Sequence, residues 1–288
     1  MRTWLLLSLC ACTSLAQDFS DIHIEKIAAG NRFTEGPVWS REGFLLFSDV
    51  PNNRVIKWVP GVGLQSFRDN SNGVNGNTMD AQGRLYSCES RTRRVVRLNK
   101  EGNYDVLADK YDGKRLNAPN DIVVRRDGHL WFTDPAFGEQ EEHREMDYFG
   151  IYHITPKGEL NLIAKPKGRP NGVALSPNGR ILYVANSDDR TLVAYDVDGA
   201  GRTSNERVFI KDIDGPPDGI RVDEKGNVYV TCNQLAIYTP QGKLLKVIEF
   251  PETPRNCAFG DADFQTLYVT ALTSVYRVRL KMKGSVQY

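Results

Sequence analysis

One short pattern recurs along the chain and constrains its fold more than any other feature. Each copy joins an apolar run to a polar turn and then to a second run rich in Tyr, Phe, Trp, Val and Leu, a composition typical of buried strands. The six copies are EGPVWSREGFLLFSD, NGNTMDAQGRLYSCE, NDIVVRRDGHLWFTD, NGVALSPNGRILYVAN, DGIRVDEKGNVYVTC and NCAFGDADFQTLYVT. They recur at intervals of roughly 40 to 50 residues, which is the period of a β-propeller with four strands in each blade.

The turn of each copy carries a second regularity. Five turns contain a glycine and the sixth has a phenylalanine in the same place: Gly43, Gly83, Gly128, Gly179, Gly226 and Phe264. After the last copy the chain ends in KMKGSVQY without a fourth strand, whereas IHIEKIAA at 22–29 resembles the fourth strands of other copies. Pairing this N-terminal run into the last blade would remove two open edges. We therefore predict an all-β, six-bladed β-propeller closed by the N-terminal strand.

The first sixteen residues, MRTWLLLSLCACTSLA, have one basic residue, an apolar stretch and small residues before position 17. This pattern predicts a cleaved signal peptide at 1–16 and a single propeller domain at 17–288. Lipidation at Cys12 is the alternative, although Cys10 is unusual in such a motif. No later segment reaches the roughly 20 apolar residues of a membrane span. The expected location is therefore outside the cytoplasm, in a periplasm or the medium.

Charge and cysteine content exclude some classes of function. Lys and Arg number 37 against 36 Asp and Glu, and no basic run is present to grip a nucleic-acid backbone. Export leaves Cys88, Cys232 and Cys257, an odd number that allows at most one disulfide. We interpret all three as small buried apolar residues. No protein partner is implied.

A polar residue starts the first strand of every copy, and the first strand lies nearest the axis of a propeller. These axial residues are Glu35, Asn75, Asn120, Asn171, Asp218 and Asn256. Asn and Asp cap turns well, but turn chemistry explains neither Glu35 nor the same polar slot in all six blades. The alignment therefore predicts a functional ring at one end of the channel.

The ends of the second strands should lie at the same mouth, because first and second strands run antiparallel. Their polar residues are Asp49, Glu89, Asp134, Asn186 and Asn233. Crowded carboxylates repel one another, and a bound cation relieves that repulsion. Oxygen donors without axial His or Cys favour a hard divalent cation, with Ca²⁺ first and Mg²⁺, Mn²⁺, Fe²⁺ or Zn²⁺ as alternatives.

The motifs FTEGPVW, NGNTMDAQGRLYSCE, LNAPNDIVVRRDGHLWFTDPAFG, RPNGVALSPNG and PPDGI, taken in order, resemble the SMP-30/gluconolactonase/luciferin-regenerating enzyme family of six-bladed propellers. The resemblance implies that Glu35, Asn171 and Asp218 are metal ligands, and that Asn120 completes the ring toward metal, water or substrate. Asn75 matches an amide beside the substrate. Ala118 and Ser90 depart from the arginine and histidine found in many members, which puts the sugar specificity in doubt.

The resulting hypothesis is metal-assisted hydrolysis of a small lactone, most simply a sugar lactone that opens to its aldonic acid. Asp218 is the expected catalytic residue and takes the proton of the attacking water, with metal-bound hydroxide as the alternative within the same scheme. Two other hypotheses remain open: hydrolysis of another lactone, an ester or a phosphotriester, and a non-enzymatic binding propeller with a structural cation.

Two remaining features predict less. The histidines at 23, 129, 143 and 153 occupy no repeated slot, and we interpret them as surface or strand residues. The insertion FGEQEEHREMDYFG follows the second strand of the third copy. Its position over the predicted mouth makes it a candidate lid or specificity loop.

Overall fold

The six repeats form six four-stranded antiparallel sheets, the blades of a propeller. The computed structural model describes residue 19 and residues 22–286. The predicted signal peptide at 1–16, with Cys12, lies outside the described residues. The predicted extent of the domain, 17–288, stays a prediction.

The strands follow the repeats in chain order. The chain enters through β1 (Ile24–Ala28) and continues into blade 1, which contains β2 (Thr34–Ser40), β3 (Phe44–Asp49), β4 (Arg54–Val59) and β5 (Gly63–Asp69). Blade 2 contains β6 (Val74–Met79), β7 (Leu85–Glu89), β8 (Arg94–Leu98) and β9 (Tyr104–Ala108). A small ribbon of β10 (Lys110–Tyr111) and β11 (Lys114–Arg115) precedes blade 3, which contains β12 (Ile122–Val124), β13 (Leu130–Asp134), β14 (Gly150–Ile154) and β15 (Leu160–Ala164).

The second half of the ring repeats this order. Blade 4 contains β16 (Pro170–Leu175), β17 (Ile181–Asn186), β18 (Thr191–Val197) and β19 (Thr203–Ile210). Blade 5 contains β20 (Ile220–Val222), β21 (Val228–Thr231), β22 (Leu235–Tyr238) and β23 (Leu244–Ile248). Blade 6 contains β24 (Pro254–Gly260), β25 (Thr266–Ala271) and β26 (Ser274–Arg279), with β1 as its fourth strand.

The N-terminal strand closes the ring, as the sequence predicts. β1 pairs antiparallel with β26, with Ile24 opposite Val278 and Lys26 opposite Tyr276. The first and last described strands, β1 and β26, therefore share one blade, and the ring cannot open there without breaking this pairing. The prediction of a six-bladed, all-β propeller is confirmed.

The first strands of neighbouring blades contact one another all the way round the axis: β2, β6, β12, β16, β20 and β24. The core lies between the blades, where the inner strands β2 and β3 are wholly buried and the outer strand β5 is largely exposed. One such contact joins blades 1 and 6, where Trp39 stacks on Tyr268 with ring centroids 5.2 Å apart. The repeat thus buries one apolar layer per blade interface.

The turns confirm the alignment of the repeats. In each, the backbone N–H of the aligned residue donates to the carbonyl three residues earlier, from Gly43 to Ser40 in blade 1 and from Phe264 to Asp261 in blade 6. All five glycines have a left-handed φ, and Phe264 adopts φ 55° in the same place. Such a φ is uncommon for a residue with a side chain, which explains the preference for glycine.

Two connections lie at the end where the first strands begin, which we call the mouth. One is the β10–β11 ribbon, and the other is the predicted insertion between β13 and β14, which contains the short helix α1 (Glu139–Glu142). At the opposite end, Ser285 and Val286 help to line an axial cavity of about 70 Å³. This volume has room for a few water molecules only, so a ligand the size of a sugar does not fit in this cavity.

Two further predictions from the sequence concern membrane spans and cysteines. Within residue 19 and residues 22–286, no helix is long and apolar enough to cross a membrane. Cys88, Cys232 and Cys257 are buried free thiols. The interpretation of these cysteines as small buried residues is confirmed.

Candidate functional site

The six axial residues converge at the mouth, as the alignment predicts. Glu35, Asn75, Asn171 and Asn256 lie within first strands, and Asn120 and Asp218 precede theirs by two residues. Glu35 is 3% exposed and Asn171 is 7% exposed. Asn75 is partly exposed, and the Asp218 side chain is 13% exposed.

Glycines let the first strands approach each other at this ring. The N–H of Gly172 donates to the carbonyl of Asp218 at 3.1 Å, and a Cβ on Gly172 would lie 2.2 Å from that same oxygen. The N–H of Gly219 donates to the carbonyl of Arg255 at 2.8 Å. The Gly after Asn171 and after Asp218 is therefore required by close backbone contact between blades.

Glu35 and Asp218 are close enough to repel each other across the axis. Burial raises the pKa of Glu35 well above its usual value, and the charge of Asp218 raises it further. The N–H of Gly36, at 3.0 Å from Glu35 Oε2, partly offsets these effects. Burial also raises the pKa of Asp218 to about 7 despite the nearby Arg255 guanidinium. In the absence of a cation, the pair favours holding a proton.

Two amides adjoin this pair. The Asn171 side chain hydrogen bonds to the Asp218 carboxylate, and its Nδ2 also donates to Ser187 Oγ at 3.2 Å. The Asn256 side chain hydrogen bonds to Glu35, while its Oδ1 accepts the N–H of Cys257 at 2.8 Å. Asn171 therefore keeps its oxygen available, whereas the oxygen of Asn256 is already used.

Asn75 and Asn120 are positioned through their backbones. The carbonyl of Asn75 accepts Ser48 Oγ at 2.8 Å. The N–H of Asn120 donates to Thr133 at 2.9 Å, and its carbonyl accepts the N–H of Gly76 at 2.7 Å. Both side chains thus project from a fixed backbone at the mouth.

Asp121 is a third axial carboxylate, which the repeat alignment overlooked. It is 1% exposed, and burial raises its pKa. Its Oδ2 accepts the N–H of Val173 at 3.1 Å and lies 3.6 Å from Arg221 Nη1, but its Oδ1 is buried without a partner among the described residues. In the repeat alignment it occupies the position held by Gly36, Gly76, Gly172 and Gly219 in other blades. A carboxylate at a position that is otherwise glycine could have identified Asp121 from the sequence.

Arg255 is the second site residue that the sequence interpretation missed. It lies directly before axial Asn256, and its Nη1 is 3.6 Å from Asp218 Oδ2. Its guanidinium covers the ring of Phe33 at 5.4 Å from the centroid. The preceding residue is Thr, Val or Pro in the other five repeats, so no repeated pattern marks it.

The polar residues at the ends of the second strands lie at the mouth as predicted. The expectation that their oxygens are available to a cation needs correction. Asp49 accepts the N–H groups of Arg32 and Phe33 at 3.1 and 3.3 Å and pairs with Arg54 at 3.1 Å. Glu89 pairs with Arg68 at 2.6 Å and also with Arg94. These oxygens already hold loops and arginines together, so the available donors are confined to the axis.

Asp134, Asn186 and Asn233 follow the same rule. Asp134 Oδ2 and Oδ1 accept the N–H groups of Asn117 and Ala118, each at 2.8 Å. Asn186 bonds to Asp189 and Asn233 bonds to Asp214. Each of these side chains braces the loop beside it.

Two of the four histidines interpreted as surface or strand residues form a buried pair. His129 and His153 are buried, and their Nδ1 and Nε2 atoms lie 2.7 Å apart. The His153 ring stacks on Trp131 at 4.9 Å. His143 lies in the β13–β14 insertion, where its carbonyl accepts Arg93 Nη2 at 2.6 Å.

Among the described residues, no group of three or more His, Cys, Asp or Glu side chains is arranged to hold a metal ion. A donor set made of Glu35, Asp218 and asparagine amides is of a different kind, because half of its oxygens come from Asn. The site is thus an oxygen-rich opening with three buried carboxylates and two arginines.

A six-bladed propeller with a carboxylate and amide ring at its axial mouth defines the class of this protein. The chain belongs to the SMP-30/gluconolactonase/LRE-like family, whose model matches residues 33–273. The resemblance seen in the sequence motifs is therefore confirmed.

Three relatives show the range of similarity. The chain is 35% identical to the gluconolactonase of Zymomonas mobilis over 91% of this chain and 82% of that protein. A solved gluconolactonase from Xanthomonas campestris is 32% identical and superposes with a TM-score of 0.86, covering 93% and 92% of the two chains. Diisopropyl-fluorophosphatase of Loligo vulgaris is 26% identical over 88% of this chain and 91% of its own length.

Proposed function

We propose that the protein is an exported, divalent-metal-dependent lactonase that opens a sugar lactone to its aldonic acid. The observation that carries the proposal is the pair of carboxylates, Glu35 and Asp218, which lie close enough at the axis for the charge of Asp218 to raise the pKa of Glu35. Similarity to two gluconolactonases at 35% and 32% identity supports the substrate class.

The residues present fit a hard cation. Glu35, Asn171 and Asp218 would hold it, with Asn120 completing the ring toward water or substrate. The repulsion that raises the pKa of Glu35, and the buried Asp121 Oδ1 without a partner, are both relieved by positive charge at the axis. When bound, the cation supplies Lewis-acid polarisation of the lactone carbonyl. All donors are oxygens, so Ca²⁺ is the first candidate, with Mg²⁺, Mn²⁺, Fe²⁺ and Zn²⁺ as alternatives.

Asp218 is the proposed proton acceptor. Its carboxylate sits at the mouth between the Asn171 amide and the Arg255 guanidinium. Water attacks the acyl carbon while Asp218 takes one of its protons. The acyl–oxygen bond of the ring then breaks, Asp218 returns its proton to the ring oxygen, which becomes a hydroxyl, and the carboxylic acid that forms ionises. The products are a carboxylate and a free proton, as lactone hydrolysis requires.

The amides orient the substrate without adding charge. Asn75 and Asn120 project from backbones fixed by Ser48 and by Thr133 and Gly76. A sugar lactone carries several hydroxyl groups, each able to donate to and accept from an amide. The β13–β14 insertion and the β10–β11 ribbon lie beside the same opening and are the proposed specificity loops.

A phosphotriester or another ester is the second candidate substrate. The similarity to diisopropyl-fluorophosphatase favours it, at 26% identity over most of both chains. A propeller scaffold supports more than one chemistry, so the site alone does not choose between acyl and phosphoryl centres.

Export is proposed on the sequence of residues 1–16. One arginine, an apolar stretch and small residues near position 16 make up a signal-peptide pattern. Expression of the full chain in a bacterial host, followed by N-terminal sequencing of the periplasmic protein, should find Gln17 first. An intact Met1, or lipid on Cys12, would contradict cleavage at this point.

The test of function is a substrate panel on chelated protein with each divalent metal added back separately. The panel contains D-glucono-1,5-lactone, further sugar lactones, an aromatic ester and a fluorophosphate, and acid release is followed in a weakly buffered dye solution. We expect activity on a sugar lactone that is lost on chelation and restored by one metal. Turnover of the ester or fluorophosphate alone would favour the second candidate, and turnover of none would favour a binding propeller.

A further inference from the structure

Arg255 has an unusual combination of contacts at the mouth. Its backbone is fixed, because its carbonyl accepts the N–H of Gly219 at 2.8 Å and the hydroxyl of Thr231 at 2.7 Å. Its side chain is 30% exposed and lies over the ring of Phe33. A cation is therefore held rigidly at the entrance of the site.

The guanidinium of Arg255 is only partly satisfied by the protein. Its Nη1 lies 3.6 Å from Asp218 Oδ2, longer than a charge-assisted hydrogen bond of about 2.7–2.9 Å. Its Nε is buried without a hydrogen-bond partner among the described residues. An arginine has five N–H donors, and an unpaired buried donor is unfavourable. A ligand acceptor can reach the exposed part of this side chain, whereas Nε itself is buried.

Arg221, the other arginine near the axis, is already engaged by acceptors of the protein. Arg221 donates to the carbonyl of Ile220 at 2.6 Å and lies 3.6 Å from Asp121 Oδ2. It also lines the small cavity at the closed end of the axis. Arg255 is thus the arginine beside Asp218, the carboxylate that is proposed to take a proton from water.

We propose that Arg255 binds the carboxylate of the ligand, and so serves as the specificity residue for the acidic product over neutral sugars. The inference rests on the proposed lactone hydrolysis for the identity of the acid. Opening a lactone converts its neutral acyl group into a carboxylate. The Arg255 guanidinium lies 3.6 Å from Asp218, so in the proposed reaction it would lie beside the acyl carbon. A planar guanidinium binds a carboxylate through two parallel N–H···O contacts, which a neutral lactone cannot match.

The test is direct binding of D-gluconate to the full chain by calorimetry in Ca²⁺-containing buffer, with neutral sorbitol as the uncharged probe. Arg255→Gln should weaken gluconate binding by roughly ten- to a hundredfold and leave sorbitol binding within about twofold. Arg255→Lys keeps the charge but not the planar fork, and should recover only part of the affinity. Arg32→Gln is the matched control, because Arg32 is an exposed arginine one residue from Phe33. It should bind gluconate as the wild-type protein does.

Kinetics supply the second readout. In Arg255→Gln the inhibition constant of D-gluconate should rise by the same factor, while KM for the neutral lactone changes by less than about threefold. Equal weakening of gluconate, sorbitol and lactone, together with a lower melting temperature, would show that Arg255 only supports the structure and would overturn the inference. Unchanged gluconate binding in an active Arg255→Gln protein would overturn it while leaving lactone hydrolysis intact. A wild-type protein that binds gluconate through Arg255 but hydrolyses no lactone would instead reject the proposed function.

Discussion

Two groups of buried carboxylates lie at the mouth and differ in what surrounds their oxygens. The axial carboxylates are Glu35, Asp121 and Asp218, and the loop-holding carboxylates are Asp49, Glu89 and Asp134. Glu89 accepts hydrogen bonds from Arg94, Thr92 and Arg68, which outweigh burial and lower its pKa. Glu35 accepts the N–H of Gly36 and a side-chain hydrogen bond from Asn256, both neutral donors, and burial raises its pKa. Location at the mouth therefore does not by itself make a carboxylate a candidate ligand, and the candidates proposed above are the carboxylates at the axis.

Asp134 shows which kind of donor matters. Both of its oxygens accept backbone N–H groups at 2.8 Å, yet burial still raises its pKa to about 7. Neutral donors satisfy the geometry of a carboxylate but only partly offset its desolvation. The arginines around Glu89 supply hydrogen bonds and also a positive charge that offsets desolvation. At the axis, a bound cation would supply the positive charge.

The largest effect is expected from removing the charge of Asp218. Asp218→Asn keeps the shape of the side chain but removes the proton acceptor, so kcat/KM for the lactone should fall by about a thousandfold. Steady-state kinetics on metal-loaded protein, with metal content measured, checks this. Asp214→Asn is the matched control, because Asp214 is an exposed aspartate in the same connection. Wild-type turnover by Asp218→Asn with its metal retained would remove Asp218 from the proton-transfer role.

The opposite result is expected at a loop-holding carboxylate. Glu89→Gln leaves the buried side of Arg68 and Arg94 without a counter-charge, and breaking a buried ion pair costs about 3 kcal/mol or more. We expect a melting temperature lower by roughly 6–12 °C and a kcat/KM at 25 °C within about threefold of wild type. Asp105→Asn, which removes a solvent-screened partner of Arg97, should leave the melting temperature nearly unchanged. A thousandfold loss of activity in folded Glu89→Gln protein would erase the distinction between the two groups.

The fold and the ring were predictable because both repeat. A turn residue with left-handed φ, glycine in five blades and Phe264 in the sixth, and a polar residue at the start of the first strand recur in all six blades, so one aligned slot specifies six positions in space. The closing strand β1 was predictable because the last repeat lacks its own fourth strand. Each repeated residue occupies the same backbone position in its own blade. Aligning the repeats therefore identifies residues in equivalent places of the structure.

The rest of the site depends on contacts between blades, which no repeat encodes. Arg255 lies beside Asp218 of the neighbouring blade. The repeat alignment compares equivalent positions, but it does not show which side chains meet between two blades. Glu89 looked like a candidate ligand because Arg68 and Arg94 could be identified as its partners only in the folded blade. Asp121 is the exception, since its place in a glycine slot was visible in the alignment.

A smaller effect is expected from the metal itself. Glu35→Gln removes a charged donor from the proposed cation site, so added Ca²⁺ should no longer raise the melting temperature. In the wild-type protein, Ca²⁺ at about a hundred times its dissociation constant should add roughly 2.7 kcal/mol of stability. Thermal unfolding of chelated protein with and without Ca²⁺ measures both. An unchanged Ca²⁺-dependent shift in Glu35→Gln would show that Glu35 is no ligand.

The smallest effect concerns buried titratable groups away from the axis. Burial, the His129 ring and Arg125 lower the pKa of His153 to about 4, against the opposing charges of Asp127 and Asp198. The unfolded chain binds a proton near pH 6.5, whereas the folded chain resists it. Stability is therefore retained above about pH 6.5 and lost as the pH falls toward 4, by roughly 2 kcal/mol. The loop-holding and axial carboxylates are the same in the wild-type and variant proteins, so their own titration cancels when the proteins are compared.

His153→Phe keeps a ring stacked on Trp131 but removes the titrating group. The decline in the free energy of unfolding between pH 7 and pH 4.5, measured by urea titration, should therefore be shallower in His153→Phe than in the wild-type protein. His23→Gln replaces an exposed histidine and should leave the slope unchanged. An equal slope in all three proteins would mean that acid acts through carboxylates alone, and the contrast between axial and loop-holding groups would then account for the whole pH dependence.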